Sequence, residues 1–286
     1  MKCMLCHPFD WQRLLTWPLP IMVQPKLDGI RCVCTIDSLG RVSLTTRNEK
    51  PINSVPHINN AIETLVDTCS INNTTFDGEL YAKGMRFEQV CSIVKRNALH
   101  PQYMDMQYHI FDFIANLPQL QRNQMLQTSL SDYLSAPNDI PLQLVETRLC
   151  MTQDDICNAI ADFVRQGYEG GIVRHIEALY EQKRSYTILK YKPTKSDTYT
   201  IIGTIEEQTI NKEPKDSLGA LILVNSSQAA TTVENFRVGS GFTAEQRQQL
   251  WQRREQLIGK HVKIAYQELT VARMVPRFPV FIKIID

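Results

Sequence analysis

Lys26-Leu27-Asp28-Gly29-Ile30-Arg31-Cys32-Val33-Cys34-Thr35-Ile36 is the stretch on which the reading of the chain turns. Its second half alternates. Ile30, Cys32, Cys34 and Ile36 point one way and Arg31, Val33 and Thr35 the other, the pattern of a half-buried strand. Its first half is a connector. Gly29 lets the backbone turn tightly and approach a ligand closely. A lysine that acts as a nucleophile must lose its proton near neutral pH, against an ordinary value of ~10.4. Burial or cationic neighbours lower that value. Arg31 sets a guanidinium suited to phosphate beside the lysine. Taken alone, such a lysine is far more often a solvated surface group.

Outward from this stretch, Asp37-Ser38-Leu39-Gly40 has turn chemistry and Val42–Arg47 returns as a second strand. Pro56–Asp67 has helical spacing at Ile58, Ile62, Leu65 and Val66, with Ser54 as N-cap. Phe76–Ala82 and Tyr108–Ile114 are predicted strands. Thr152 is the predicted cap of a helix carrying Ile156, Ile160, Phe163 and Val164, with Gly167 past its end. Strands Gly170–His175 and Ile188–Tyr191 follow, and Pro193-Thr194-Lys195-Ser196 reads as a hinge. Beyond it lie five short strand candidates, Thr198–Ile205, Ala220–Val224, Val233–Val238, His261–Tyr266 and Val280–Ile284. One helix, roughly 244–257, lies among them, with Thr243 and Gln246 as its capping box. That complement suits an OB-fold β-barrel. The expected fold class is α+β, with antiparallel sheets and flanking helices in a domain over 1–194, and the OB-fold over 195–286.

The 286 residues suit two ordinary domains or one large one. With 43% hydrophobic and 21% charged residues, a packed core is feasible. The net charge is only +1, so any surface for phosphates is local. No run of ~18 apolar residues is present, so no membrane span is expected. The N-terminus lacks a secretory pattern. An intracellular setting follows, in the cytoplasm, a host-cell compartment or a virion, with the eight cysteines as thiols. Cys3, Cys6 and His7 spell a C-x-x-C-H, which can mark haem attachment. Haem attachment needs export, and a zinc site needs a second ligand pair that the chain lacks. The segment therefore reads as an ordinary N-terminal lead.

More motifs follow in order: Thr46-Arg47-Asn48-Glu49-Lys50-Pro51-Ile52, Phe76-Asp77-Gly78-Glu79-Leu80, His109-Ile110-Phe111-Asp112-Phe113, Glu169-Gly170-Gly171-Ile172-Val173-Arg174 and Leu189-Lys190-Tyr191-Lys192-Pro193. Lys190 and Lys192 are two apart and share a strand face. Their paired ammoniums suit a triphosphate and would lower the pKa of Lys26. Glu79 and Glu169 are hard oxygen ligands or ribose acceptors, suited to Mg²⁺ with a nucleotide. Phe111 alternates with His109 and Phe113, so one strand face is expected to offer a stacking platform. Singly, Phe111 reads as core, the two glutamates as solvated turn residues, and Arg47 and Arg174 as surface arginines. The order of the motifs on suitable elements lifts them above that.

With K-x-D-G-x-R at Lys26, this series resembles the covalent nucleotidyltransferases, and most closely the ATP-dependent DNA ligases. The resemblance implies a nucleotidyltransferase domain followed by an OB domain. It also implies roles for particular residues. Lys26 takes the nucleotide as a phosphoramide. Arg47 meets the 5′-phosphate of a nick, Glu79 holds the ribose, and Phe111 stacks on adenine. Glu169 is metal-linked, and Lys190 and Lys192 face phosphate. Gln24 stands where the family reads the adenine edge, and an amide can bond adenine bidentately; otherwise it is a strand-edge polar residue.

The C-terminal third strengthens the likeness. Gly239-Ser240-Gly241-Phe242, Arg247, Trp251, Gly259-Lys260, Tyr266 with Glu268, and Pro276-Arg277-Phe278-Pro279-Val280-Phe281 resemble the OB domain of small ligases from large DNA viruses and phages. In the terminal motif Lys283 and Ile285 replace two arginines, while Asp286 remains. Arg277 and Lys283 are then expected to orient pyrophosphate. Loops at about Glu206–Leu218 and Asn225–Thr232 look short for a DNA-gripping insertion. Only 25 residues precede Lys26, too few for a nicotinamide-binding domain, so ATP is the expected donor.

The implied activity is three-step sealing of nicks in duplex DNA by a monomer using ATP and Mg²⁺, with Arg31 and Arg47 guiding the nick phosphate. The OB domain would sit first over ATP and then on the duplex. RNA ligases and mRNA capping guanylyltransferases share the early motifs. Capping enzymes differ in their C-terminal motif and usually begin the fourth motif with Asp.

Overall fold

A computed structural model describes residues 2–96, 98–134, 140–224, 234–266, 269–270, 273–277 and 279–285. The chain divides into two compact units, Met1–Lys192 and Pro193–Asp286. Among the described residues, no helix is long and apolar enough to cross a membrane. All eight cysteines are free.

The first unit runs β1 (Leu5–Pro8), α1 (Trp11–Leu14), β2 (Ile21–Lys26), β3 (Ile30–Ile36), β4 (Val42–Thr46), α2 (Pro56–Cys69), β5 (Thr74–Tyr81) and α3 (Phe87–Val94). It continues with β6 (Gln107–Phe113), α4 (Gln119–Leu134), β7 (Leu142–Leu144), β8 (Arg148–Cys150), α5 (Gln153–Arg165), β9 (Gly170–Arg174) and β10 (Arg184–Tyr191). The strands form two sheets, ordered β1-β10-β9-β2-β8 and β4-β3-β5-β6-β7.

Helix α5 shows why the sequence folds this way locally. Thr152 Oγ1 accepts from Asp155 N at 3.1 Å, and Asp155 Oδ2 accepts from Thr152 N at 2.9 Å. This closes a capping box. Ile156, Ala159, Ile160 and Phe163 then fall on one face and pack with Val23, Val173 and Leu189 from the first sheet. Each such side chain contributes ~1.5–3 kcal/mol when fully buried. Helix α2 starts differently from expectation. Val55 is the N-cap residue and makes no side-chain cap. Ser54 Oγ donates instead to Val94 O at 2.8 Å, tying α2 to the end of α3. Pro56 opens the helix without needing a cap, because its missing N–H is one that would go unpaired. Ile58, Ile62 and Leu65 of α2 pack on Cys34, Ile36 and Phe76 of the second sheet. Strand β3 is more buried than its alternation suggests, since Val33 on the opposite face is also 1% exposed.

The second unit comprises β11 (Lys195–Gln208), β12 (Pro214–Val224), β13 (Phe236–Val238), α6 (Ala244–Gln252), α7 (Arg254–Leu257), β14 (His261–Tyr266) and β15 (Val280–Ile285). The sheet order is β13-β12-β11-β14-β15, and a bridge between Ser240 and Val280 joins its outer strands. Leu250 and Leu257 from the two helices pack with Ile201, Leu221, Leu223 and Val262. Arg247 of α6 donates to the carbonyls of Leu218, Gly219 and Gly239, which anchors the helix to β12 and the end of β13.

Three expectations change here. The stretch Glu206–Leu218 is mostly a β-ribbon, because β11 and β12 run on to a tight turn at Thr209–Glu213. Lys195 and Ser196, expected in a connecting stretch, belong to strand β11, since both pair with β14. The helix at roughly 244–257 breaks at Arg253, whose φ of −108° and ψ of 23° end α6 and start α7. Glu268, Phe278, Asp286, Val233 and the loop Asn225–Thr232 lie outside the described residues.

Candidate active site

Three strand ends of the first sheet converge. Lys26 closes β2 and pairs with Gly170 of β9, while Tyr191 closes β10 and pairs with Gly171. A Cβ on Gly170 would lie 2.1 Å from the Tyr191 carbonyl oxygen, so only glycine permits this approach. The approach brings Glu169 beside Lys192. Glu169 N donates to Lys26 O at 3.0 Å. The Glu169 carboxylate receives the Lys26 ammonium on Oε2 and the Lys192 ammonium on Oε1. Burial works against the charged form of Glu169, but Lys26 and Lys192 outweigh it and hold its pKa below the usual carboxylate range. Burial and the Lys26 charge lower the pKa of Lys192, with Glu169 opposing them.

Leu27-Asp28-Gly29 then carries the chain across to the second sheet. A Cβ on Gly29 would sit 2.2 Å from the Leu80 carbonyl oxygen, so this crossing also requires glycine. On β3, Arg31 lies opposite Glu79 of β5, which lies opposite His109 of β6. Arg31 grips Asp77 with two hydrogen bonds, Nε to Oδ1 at 2.6 Å and Nη2 to Oδ2 at 2.5 Å. It also donates to Met4 O at 3.2 Å. Tyr180 OH donates to the same Asp77 carboxylate. Burial raises the pKa of Glu79 to about 7, against the lowering influence of Arg31 and Lys26. Burial lowers that of His109 to about 4.

Phe111 occupies a bulge. Gly78 pairs with Ile110 and Asp77 with Asp112, so Phe111 is the extra residue of β6. The bulge reverses the alternation. Phe113 packs with Tyr108 and Ile110 in the larger core, whereas Phe111 packs against Leu27, Tyr81 and Val145. The expected shared platform of Phe111 and Phe113 is therefore not formed. Phe111 faces cations instead, with the Arg31 guanidinium 4.5 Å and that of Arg174 5.4 Å from its ring centre.

Gln24 is not a strand-edge residue. It is 1% exposed on the inner strand β2. Its amide donates to Phe111 O at 3.3 Å and Thr147 Oγ1 at 3.0 Å, and accepts from Arg174 Nε at 2.7 Å. Nor is Arg174 a surface residue. It is 3% exposed and joins Asp112 and Gln119. Arg122 of α4, fully buried, grips the same Asp112 from the other side at 2.8 and 3.1 Å. One carboxylate thus holds two arginines, and the network ties β2, β6, β9 and α4 together behind Phe111.

A cavity of about 220 Å³ gathers Gln24, Lys26, Arg31, Arg47, Glu79, Phe111, Lys190 and Lys192 on its walls, with Arg174. Glu169 joins them through its two lysine contacts. Arg277 lies in the second unit, next to the buried Pro276. The N-terminal segment is more than a lead. Its strand β1 supplies Leu5 and Cys6 to the cavity wall. Asp77, Asp112, Arg122, Tyr180 and Thr147 carried no role in the sequence. For Asp77 and Asp112 a signal existed, since a carboxylate inside an apolar strand must find a partner.

Among the described residues, no group of three or more His, Cys, Asp or Glu side chains is placed to hold a metal. The cleft instead offers two carboxylates, Glu79 and Glu169. This fits Mg²⁺, which commonly takes one or two carboxylates together with substrate phosphates.

The comparisons agree with this geometry. The model of the ATP dependent DNA ligase domain matches residues 3–192, and that of the DNA ligase OB-like domain matches 211–284. The chain belongs to the ATP-dependent DNA ligase family. A DNA ligase of African swine fever virus (isolate Tick/South Africa/Pretoriuskop Pr4/1996) is 24% identical over 265 residues, covering 89% of this chain and 61% of the viral protein. The chain thus spans about three fifths of that relative's length. Among solved structures, Pmar-Lig_Pre. superposes with a TM-score of 0.83 at 23% identity, covering 99% of this chain and 67% of that one. A Lig E DNA ligase has a TM-score of 0.75 at 21% identity, covering 99% of this chain and 100% of that one. These two likenesses establish a shared fold.

Proposed function

We propose that this chain seals 3′-hydroxyl/5′-phosphate nicks in duplex DNA with ATP, carrying AMP on Lys26. The observation that carries the reading is the meeting of Lys26, Glu169 and Lys192 at three converging strand ends, at the wall of a cavity that also holds Phe111 and Glu79. In the first step the Lys26 amine attacks the α-phosphorus of ATP. A P–N bond forms, the bond to the bridging oxygen breaks, and pyrophosphate leaves with its electron pair. Glu169 holds the Lys26 amine in place, and the proton that Lys26 must lose passes to solvent. Lys190 and Lys192 stabilise charge on the phosphates. Phe111 lies under the base and Glu79 reaches the ribose. Glu79 and Glu169 would hold Mg²⁺, which supplies further neutralisation of phosphate charge when bound.

In the second step the nick 5′-phosphate attacks the AMP phosphorus and Lys26 leaves, with Arg47 and Arg31 steering the phosphate. Arg31 is already tied to Asp77 through Nε and Nη2, so its Nη1 edge, which makes no hydrogen bond among the described residues, is the part that serves here. In the third step the 3′-hydroxyl attacks the 5′-phosphorus and AMP departs. Arg277 of the second unit and Lys283 would orient pyrophosphate during the first step. Gln24 acts mainly by holding the Phe111 backbone, with one acceptor lone pair left for the adenine edge.

The test is sealing of a labelled nicked duplex with ATP and Mg²⁺ by the parent chain and by Lys26→Ala. The parent seals and the variant does not. Sealing by Lys26→Ala would overturn covalent catalysis at Lys26, and labelling by GTP without ATP would overturn the choice of donor.

A further inference from the structure

On β10, residues two apart share a face. Ile188, Lys190 and Lys192 line the cavity, and so does Arg184 at the far end. Tyr186 lies between Arg184 and Ile188 where the β1–β10 register breaks, and it is 54% exposed. Its ring makes two close contacts. His7 of β1 stacks on it at 3.6 Å between ring centres with the planes 6° apart. The Arg13 guanidinium lies 4.1 Å from its ring centre. Arg184 is pinned alongside by donating to Cys6 O at 2.5 Å.

This is a surface feature, and burial does not explain it. Among the described residues, no carboxylate forms an ion pair with Arg13, Arg184 or Lys190. The nearest acids in sequence are engaged otherwise. Asp10 accepts from the backbone of Gln12 and Arg13, and Glu181 pairs with Lys183 and Ser185. Burial, then Arg184, Arg13 and Lys190, all depress the pKa of His7. A guanidinium held against an aromatic ring is pre-organised to offer its N–H groups to phosphate. Tyr186 is four residues from Lys190, about 13 Å along the strand. That equals the rise of about four base pairs at 3.4 Å each.

We propose that the Arg13–Tyr186–His7 stack, with Arg184, grips the sugar-phosphate backbone of the nicked duplex several nucleotides away from the AMP-carrying lysine. This rests on the ligase reading above. The stripe on β10 then runs from nucleotide chemistry at Lys192 to duplex contact at Tyr186.

The test uses the full chain with Arg13→Gln, Tyr186→Ala and Tyr186→Phe. Intact mass after incubation with ATP and Mg²⁺ reads self-adenylation. Equilibrium binding of a nicked duplex across a salt series reads the grip. Arg13→Gln and Tyr186→Ala should acquire AMP like the parent but bind nicked duplex roughly tenfold more weakly. Arg13→Gln should also lower the salt slope by about one. Tyr186→Phe, which keeps the stack, should bind like the parent. If the parent seals nicks and all three variants bind with parental affinity and salt slope, this inference is wrong and the ligase reading stands. A parent that never acquires AMP overturns both.

Discussion

Glu169 and Glu79 share one cleft and differ in their company. Glu169 is clasped by two ammonium groups and stays ionised, whereas Glu79 is half-buried and desolvation raises its pKa to about 7. A folded-state value above the unfolded one means that the folded chain holds this proton more tightly. The associated stability is complete below about pH 4.5 and is lost as pH rises through about 7. Glu79→Gln removes the charge while keeping the shape. The variant should match the parent in urea unfolding at pH 4.5 and exceed it at pH 8 by about 1–3 kcal/mol, while self-adenylation falls because the ribose contact is weakened. Equal stabilities at both pH values would show that Glu79 does not ionise in a desolvated setting.

At the scale of elements, α4 is held by chemistry at its first turn as well as by Leu126 and Leu130 in the larger core. Arg122 bonds Asp112, Gln119 and the carbonyls of Leu117 and Ala178. Arg122→Met leaves the remaining polar partners buried with fewer donors, and breaking a buried pair in this way costs about 3–5 kcal/mol. Urea unfolding of the variant measures that loss, and a loss below 1 kcal/mol would contradict the anchoring role. This element also marks where sequence reading stops. Helix α5 was legible because its cap and its apolar spacing agree. Helix α4 was not, because polar residues outnumber apolar ones over Gln119–Leu134 and its fixing residue bonds across the fold. Strand β2 was not read either, since five of its six residues are buried and no alternation shows. The bulge at Phe111 was invisible because it depends on the register with β5. The Lys26–Arg31 connector was legible because its chemistry is local, and its glycine answers to a carbonyl that only the folded sheet supplies.

Over the whole molecule, two sets of cores divide the stabilising work. The first unit has three apolar clusters, the largest centred on residues such as Ile58 and Leu80, and the second has its own around Leu221 and Val262. Each unit therefore has the makings of a cooperative domain. Leu223→Ala empties space in the second core only and should cost that unit about 2–4 kcal/mol. Calorimetry should then show one transition shifted down and the other unmoved, whereas a common shift would mean that the units unfold together. The central claim concerns one nitrogen atom, and it can be read directly. The chain is incubated with ATP and Mg²⁺, digested under mildly alkaline conditions that preserve a P–N bond, and its peptides are sequenced by mass. AMP on Lys26, released by acid, is the predicted result. AMP on another residue, or none after incubation under conditions in which nicks are sealed, would contradict it.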